Sequence, residues 1–527
     1  MFGYILASIT ILLLFIYFII SPVIAFYRDP KGLRKYPSLN FLCAFSDLGF
    51  IWEANKPLRC RALLEAHKTS PVVRIGPNSL SYSDLSAIKD IYGHNTKCVK
   101  DVFYDTLAGT HHHLADVVDK SDHQRKRRIL SSAYALKNLE SWEYKVSDKA
   151  NRLIKAFDAR CTLPLKEGAK IPASEDLTVD YRSWTNFFTL DAIADIGLSE
   201  RLGFLDAGDD LVTAEKMDGT LYKVNYRACL HATARAQAGL VWCYDWFPFL
   251  IKMSKLVSAQ YRQRWKLNEG WNDIVYHRAT QRLKRYRAGE KLDDFFQALM
   301  EDKGGNPNGM EWGEIVAEVS IMMNAGSDTT AIAMNNVMYN LLKNPSALSK
   351  LRAEVDSVLG PSEAVAAYDK VRHLPYLRAC LDESLRLYPP TTFGLPRRTP
   401  PEGIPILGDY IAGNTSVSIS AYVAHRNEKV FPDPEAYRPE RWLGQDSKDL
   451  QGAFLSFSAG ARGCIGRNIS YLEQTVLLAS VVHRYDFALP TPDWEPTRWE
   501  TFNLSPGPMP LKVWRRSLGV QKGLSAY

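Results

Sequence analysis

In the stretch Phe457-Ser-Ala-Gly-Ala-Arg-Gly-Cys-Ile-Gly466 one cysteine, Cys464, is surrounded by residue types that suit a ligand for iron. A thiolate, rather than a thiol, is what binds a metal. Gly460, Gly463 and Gly466 permit tight turns and positive φ, so the backbone can lie flat against a large planar group where a Cβ would collide. The apolar run Ile465, Ile469, Tyr471, Leu472, Val476, Leu477 predicts a helix starting at Cys464, whose positive end favours an anionic sulfur. A lone free cysteine is most often an inert buried side chain. The glycines and Arg462 set this one apart.

Two further constellations could do chemistry or support it. Ala325-Gly-Ser-Asp-Thr-Thr330 interrupts the longest helical pattern of the soluble part, Trp312–Asn344, which ends at Asn344-Pro345 and at 1.5 Å per residue would span about 45–50 Å. A mid-helix glycine costs about 1 kcal/mol against alanine, and adjacent threonines are poor helix formers. The Thr329 hydroxyl can also bond the Ala325 carbonyl, four residues back, and loosen the ladder. Glu383 and Arg386 lie three apart on one face of a helix over Tyr376–Leu387. A surface pair at that spacing means little alone; here it is followed by Tyr437-Arg-Pro-Glu-Arg-Trp442, which supplies Arg441.

The spacing Phe457, Gly460, Arg462, Cys464, Gly466, with Ala-Gly-x-Asp-Thr329, Glu383-x-x-Arg386 and Pro-Glu-Arg441 in this order, resembles the cytochrome P-450 superfamily. Average residue usage gives the five-position pattern by chance in about one such chain in ten thousand. The resemblance covers nearly the whole chain and implies a mainly α domain with a small β region. It implies haem b with Cys464 as axial thiolate, which pushes electron density onto the iron and favours O–O cleavage. It makes Phe457, Gly460 and Gly466 the shape of the ligand loop, and Gly326 the place where the central helix opens to leave room for dioxygen. Asp328 and Thr329 match the acid and alcohol that deliver protons. The helix after residue 120 carries Trp-x-x-x-Arg in the family; His123-x-x-x-Arg127 stands at that spacing here, so the role passes to Arg127 alone. Arg127, Arg397 and Arg462 are then the forks for two haem propionates, a task guanidinium suits because it stays charged and binds bidentately. Glu383, Arg386 and Arg441 form a buried triad that braces the Cys464 loop.

By position in that family Ala325, Thr329, Phe393, Leu395, Phe502 and Leu504 line the pocket, and the expected ligand is hydrophobic or amphipathic. The implied activity is monooxygenation, with electrons from NADPH through a separate flavoprotein, NADPH-cytochrome P-450 reductase. The segments HNTKCVKDVFYD and AGSDTTAIAMNN resemble filamentous-fungal members, including benzoate hydroxylase-like enzymes and those of secondary-metabolite pathways. The expected substrate is a polyketide, terpenoid or alkaloid scaffold. The alternatives are an aromatic-acid hydroxylase, or a haem-thiolate isomerase or dehydratase that needs no reductase; intact Asp328-Thr329 speaks against the latter.

The elements that must position these residues begin at a membrane. No charged residue occurs from Tyr4 to Tyr27, long enough to cross a bilayer as a helix. A signal peptide would be shorter and preceded by positive charge, whereas Arg28, Lys31, Arg34 and Lys35 follow this span. The predicted arrangement is a single-pass anchor (1–27) in the endoplasmic reticulum, a hinge and linker (28–60) carrying Pro30, Gly32 and Pro37, and a cytosolic catalytic domain (61–527).

Within that domain Val72–Ile75 and Leu80–Ser83 predict a hairpin. Ser121-Asp-His-Gln124 reads as a capping box opening a basic helix that faces an acidic reductase. Residues 140–300 read as helical, with 205–255 at the position of a substrate-access lid. Ile404–Ile411 and Thr415–Val423 read as strands, and Thr501–Ser505 with Leu511–Trp514 as a β pair over the pocket.

Composition excludes other classes. With 46% hydrophobic and 11% aromatic residues the chain can build a core and is not disordered. The eight cysteines form no CxxC pairs, against a disulfide framework or zinc site. The charge of +7 comes with no nucleic-acid motif and suits an anionic membrane surface or an acidic protein partner. His111-His112-His113 is no metal site by sequence, since adjacent side chains point apart on any regular backbone.

Overall fold

A computed structural model describes residues 2–444 and 447–518. Three helical stretches buried along much of their length make the centre, and they bury polar as well as apolar side chains. Tyr181–Leu198 contributes Leu190, Ile193 and Ile196; Arg467–Arg484 contributes Leu472, Val476 and Leu477; the central helix contributes Val319, Met323, Val337 and Leu341. Amphipathic helices such as Glu143–Asp158 and Ala259–Arg287 pack around them.

The predicted Trp312–Asn344 helix is two, Trp312–Ala325 and Asp328–Lys343, with Gly326 and Ser327 between them in a turn. Side chains compete for its backbone: Thr329 Oγ1 donates to Ala325 O at 2.9 Å and Ser327 Oγ to Met323 O at 2.7 Å.

A five-stranded sheet runs Val72–Gly76, Ser79–Tyr82, Ser416–Ile419, Arg397–Arg398, Val99–Lys100 in spatial order. The Ser416–Ile419 and Ser79–Tyr82 pair is parallel and the other pairs are antiparallel. Its last pair sets Lys100 opposite Arg397.

Several boundaries differ from the sequence reading. The 140–300 region is interrupted by an antiparallel hairpin, Leu211–Glu215 with Leu221–Asn225. The Thr415–Val423 strand stops at Ile419, because Ser420 caps a short helix by accepting from Val423 N. The two C-terminal strands do not pair with each other: Leu504–Pro506 pairs with Arg498–Glu500, and Pro510–Arg515 pairs with Tyr485–Ala488 and Val179–Asp180. Helix Lys120–Ser131 is capped by Asp119, which accepts from Asp122 N at 2.7 Å; Ser121 already lies inside its first turn. The 28–60 stretch is folded onto the domain, with Leu33, Cys43, Phe50 and Cys60 all buried.

The segment Tyr4–Arg28 is long and apolar enough to cross a membrane, with mean hydropathy 2.7 and 0% of it buried. It includes one wider turn, Ile16–Ile20.

Candidate active site

The Cys464 loop folds back on itself. Cys464 N–H donates to Phe457 O at 2.9 Å and Gly463 N–H to Gly460 O at 3.0 Å. Only Ser458 and Gly460 take positive φ, 56° and 67°; Gly463 and Gly466 do not. A Cβ on Gly460 would land on the Tyr92 carbonyl oxygen. Gly460→Ala is therefore expected to destabilise the fold on the order of 3 kcal/mol, left-handed strain added to overpacking. Chemical unfolding and the haem content of purified protein measure it.

The helix beyond begins at Arg467, three residues later than predicted, because Gly466 ends a turn at its N-cap. Burial raises the Cys464 thiol above its ordinary range, against the lowering effect of the Gly466 N–H and of Arg127 and Arg467. The sulfur is thus not an anion by virtue of the protein alone, as the sequence suggested; desolvation outweighs those partners. A bound cation reverses that, since a coordinating thiol is deprotonated outright. Cys464 lies deep in the fold, yet its surface is open instead of packed. Ala325, the last residue of helix Trp312–Ala325, is likewise exposed although it borders the break in the central helix.

A hydrogen-bond chain connects the triad to this loop. Glu383 accepts from Arg386 Nε and Nη2 (2.8 and 2.9 Å), Arg438 N (2.9 Å), Arg441 Nε (3.0 Å) and Trp442 Nε1 (2.9 Å). Arg386 spends its remaining N–H groups on the carbonyls of His425, Pro434 and Ala436. His425, which sequence reasoning missed, bonds Arg386 O through Nδ1 (3.0 Å) and accepts Leu455 N–H at Nε2 (2.8 Å). Those two partners fix its tautomer, and burial followed by Arg386 keeps it neutral, with a pKa of about 3. Ser456 Oγ donates to Leu385 O at 2.8 Å. The loop leading to Phe457 therefore hangs from the Glu383 helix.

Asp328 opens the second half of the central helix and is 4% exposed. Its Oδ1 takes Arg182 Nη2 at 2.7 Å and His231 Nε2 at 3.2 Å, and its Oδ2 takes Asn503 Nδ2 at 3.1 Å. Burial alone would raise its pKa, but Arg182 and then His231 override it and hold the carboxyl well below the usual range. Arg182, His231 and Asn503 carried no local signal; they come from three other segments.

Beside them lies a cavity of about 1330 Å³, walled among others by Ala325, Thr329, Asp328, His231 and Phe502. Three residues expected there stand outside its wall. Phe393 turns into an aromatic cluster with Trp242 and Phe502 (ring centroids 5.4 and 5.1 Å), Leu504 is 2% exposed, and Leu395 packs against the same cluster. Gly326 is also outside the wall. A Cβ there would meet Ile193 at 2.8 Å and Met322 O at 2.6 Å, so this glycine serves close packing against helix Tyr181–Leu198 and does not open space beside the cavity.

Four cations gather near the Cys464 loop. Arg127 Nη1 donates to Gly463 O (2.8 Å), Arg462 Nη1 to Val117 O (2.7 Å), Arg397 Nη1 to Pro396 O (3.1 Å) and Lys100 Nζ to Ala115 O. Among the described residues none of the four makes a salt bridge. Burial and Arg397 bring the Arg462 pKa down to about 10, and burial, Arg397 and Arg462 push Lys100 well below its ordinary value. His123, buried beside them, is brought to about 3 by desolvation and the surrounding charge. Lys100 was not foreseen.

The Cytochrome P450 family model matches residues 66–513, most of the chain. The chain belongs to the cytochrome P450 family. It is 30% identical to the cytochrome P450 monooxygenase efuB of Hormonema carpetanum, over 91% of this chain and 90% of that protein. It is 27% identical to benzoate 4-monooxygenase bphA of Aspergillus niger, covering 88% and 89% of the two chains. It is also 27% identical to tryprostatin B 6-hydroxylase of Aspergillus fumigatus, covering 86% and 76%. The protein is a P450 monooxygenase of the fungal type, and its family implies a haem thiolate.

The residues present fit that group. A P450 haem brings a metal for one thiolate and two carboxylates for cations. Cys464 offers an unpacked sulfur, and Lys100 and Arg397 face each other as register partners, like charges whose apposition is destabilising without an anion between them.

Proposed function

We propose that this P450 is a membrane-anchored monooxygenase of a fungal secondary-metabolite pathway. It inserts one atom of dioxygen into a polyketide, terpenoid or alkaloid scaffold, with electrons from NADPH through a separate reductase. Haem, when bound, supplies the activation of dioxygen. Cys464 holds its iron, and Arg127, Arg397, Arg462 and Lys100 hold its propionates. Tyr4–Arg28 anchors the chain in the endoplasmic reticulum, with Arg28, Lys31, Arg34 and Lys35 keeping the domain cytosolic.

The observation that carries the reading is Thr329, whose hydroxyl sits at the helix break in the wall of the large cavity, next to Asp328. A hydroxyl there holds a water and passes a proton towards the oxygen being reduced. The cavity, of about 1330 Å³ and open to the surface, has room for a bulky amphipathic scaffold. Two relatives of equal identity carry names with different substrates, benzoate and tryprostatin B, so similarity alone does not choose.

The test is a reconstituted assay with reductase, NADPH and a panel of scaffolds, for the parent and Thr329→Ala. In the variant NADPH oxidation continues, free hydrogen peroxide rises and product per NADPH falls. Haem content changes little, since one lost hydroxyl typically costs only about 1 kcal/mol. Equal coupling in both proteins, or product formed without NADPH, overturns the reading; the latter would point to the isomerase or dehydratase alternative.

A further inference from the structure

Asp328 matches the family's acid by position, but a carboxylate locked on a guanidinium has no proton to give at neutral pH. The partner that can carry one is His231. Its side chain is 30% exposed in the cavity wall, against 5% for Asp328 and 6% for Arg182. The hydrogen-bond roles follow by elimination. A carboxylate only accepts, so His231 Nε2 bears a proton and directs it at Asp328 Oδ1. Asn503 Nδ2 and Arg182 Nη2 donate to the same carboxylate, which pins it from two further elements. Nδ1 of His231, on the opposite side of the ring, makes no hydrogen bond among the described residues.

We propose that His231 is the residue that holds the proton for the cavity, and that Asp328 orients and stabilises His231 without carrying the proton itself. The arrangement is that of an imidazole fixed by a buried carboxylate. A proton taken from water at Nδ1 makes the imidazolium, whose charge Asp328 neutralises across the Nε2–H bond. Nδ1–H then passes that proton to a cavity water leading to Thr329 Oγ1. The ring returns to neutral with Nε2–H still on Asp328. One proton enters, one leaves, and Asp328 stays ionised throughout.

Because His231 acts through water, it is a positioning residue. It stands on helix Tyr226–Gln237 while Thr329 stands on the central helix, so the approach of those two helices sets whether protons are supplied. The charges around it oppose one another. Arg182, and Arg227 and Arg235 on its own helix, disfavour the imidazolium, as does Arg264. Asp328, with Glu269 and Asp273 of helix Ala259–Arg287 on the same cavity wall, favours it.

The inference rests on the monooxygenase reading, and two measurements separate its failure from that of the reading. The first compares parent and His231→Gln in the reconstituted assay; glutamine can still donate to Asp328 but cannot hold a proton. In the parent, product per NADPH declines as pH rises, because the imidazolium is the donor. In His231→Gln that dependence flattens, coupling drops on the order of tenfold at the parent's optimum, and haem content and substrate-binding spectra stay as in the parent. Unchanged coupling and pH profile in the variant, or a change in substrate affinity alone, overturns the proposal. The second is nitrogen NMR of histidine-labelled full-length protein in lipid nanodiscs, with His231 assigned through the variant. Its ring signals should show the proton on Nε2 and shift in Asp328→Asn. A ring without a proton on Nε2, or indifferent to Asp328→Asn, overturns the proposal whatever the assay shows.

Discussion

Cys464→Ser is expected to abolish the red-shifted carbon monoxide band of the reduced protein. Serine is nearly isosteric, and the Cys464 N–H bond to Phe457 O is a backbone bond that the substitution leaves in place. Loop shape is therefore preserved while the ligand changes from a sulfur that becomes an anion on metal binding to a hydroxyl that stays neutral. The band depends on thiolate electron donation to the iron, which a neutral oxygen does not supply. Haem should still be retained in part if, as proposed, Arg127, Arg397, Arg462 and Lys100 hold its propionates, since the substitution leaves them untouched. The decisive measurement is the reduced, carbon monoxide-difference spectrum of both proteins at equal haem content. An unchanged band would remove Cys464 as the axial ligand and with it the frame of the site.

Glu383→Gln is expected to cost about 3–5 kcal/mol of stability, the usual effect of leaving one partner of a buried ion pair uncompensated. Glu383 is 0% exposed and Arg386 is 0% exposed. Glutamine keeps the volume but faces two guanidiniums, Arg386 and Arg441, with a neutral amide, one end of which can only donate. The damage should spread to the haem site through the Arg386, His425 and Leu455 chain, so haem loss on mild denaturation should accelerate more than global unfolding. Arg386→Lys should be nearly as harmful, since three ammonium donors cannot meet the partners that five guanidinium N–H groups satisfy. Denaturant titration followed at the Soret band and by far-ultraviolet dichroism measures both. A variant whose stability and haem retention equal the parent's would show that the network is ornamental.

The helix break illustrates how far sequence reasoning reached. Gly326 and Thr329 flagged a weak point, and the chain does break there, with the Thr329 hydroxyl on Ala325 O as anticipated. The purpose assigned to Gly326 was different from the one it serves, because what a missing Cβ accommodates depends on the neighbour, here Ile193. Similarly, the glycines of the Cys464 loop signalled tight turns, but only Gly460 needs its freedom; what crowds it is the carbonyl of Tyr92, far away in the chain.

What the sequence by itself determined is what spacing encodes within one segment or one recurring order of segments. The Cys464 loop, the Glu383 and Arg386 pair on one helix face, the break before Asp328 and the uncharged span from Tyr4 to Tyr27 are of that kind, and together with family order they place the chain among the P450s. Tertiary structure alone decided which distant groups meet them. Lys100 comes opposite Arg397 through strand register, His425 links Arg386 to Leu455 across two loops, and Arg182, His231 and Asn503 converge on Asp328 from separate elements. Each is a single charged or polar residue without local periodicity, and the burial that makes its partner matter exists only once the helices have packed.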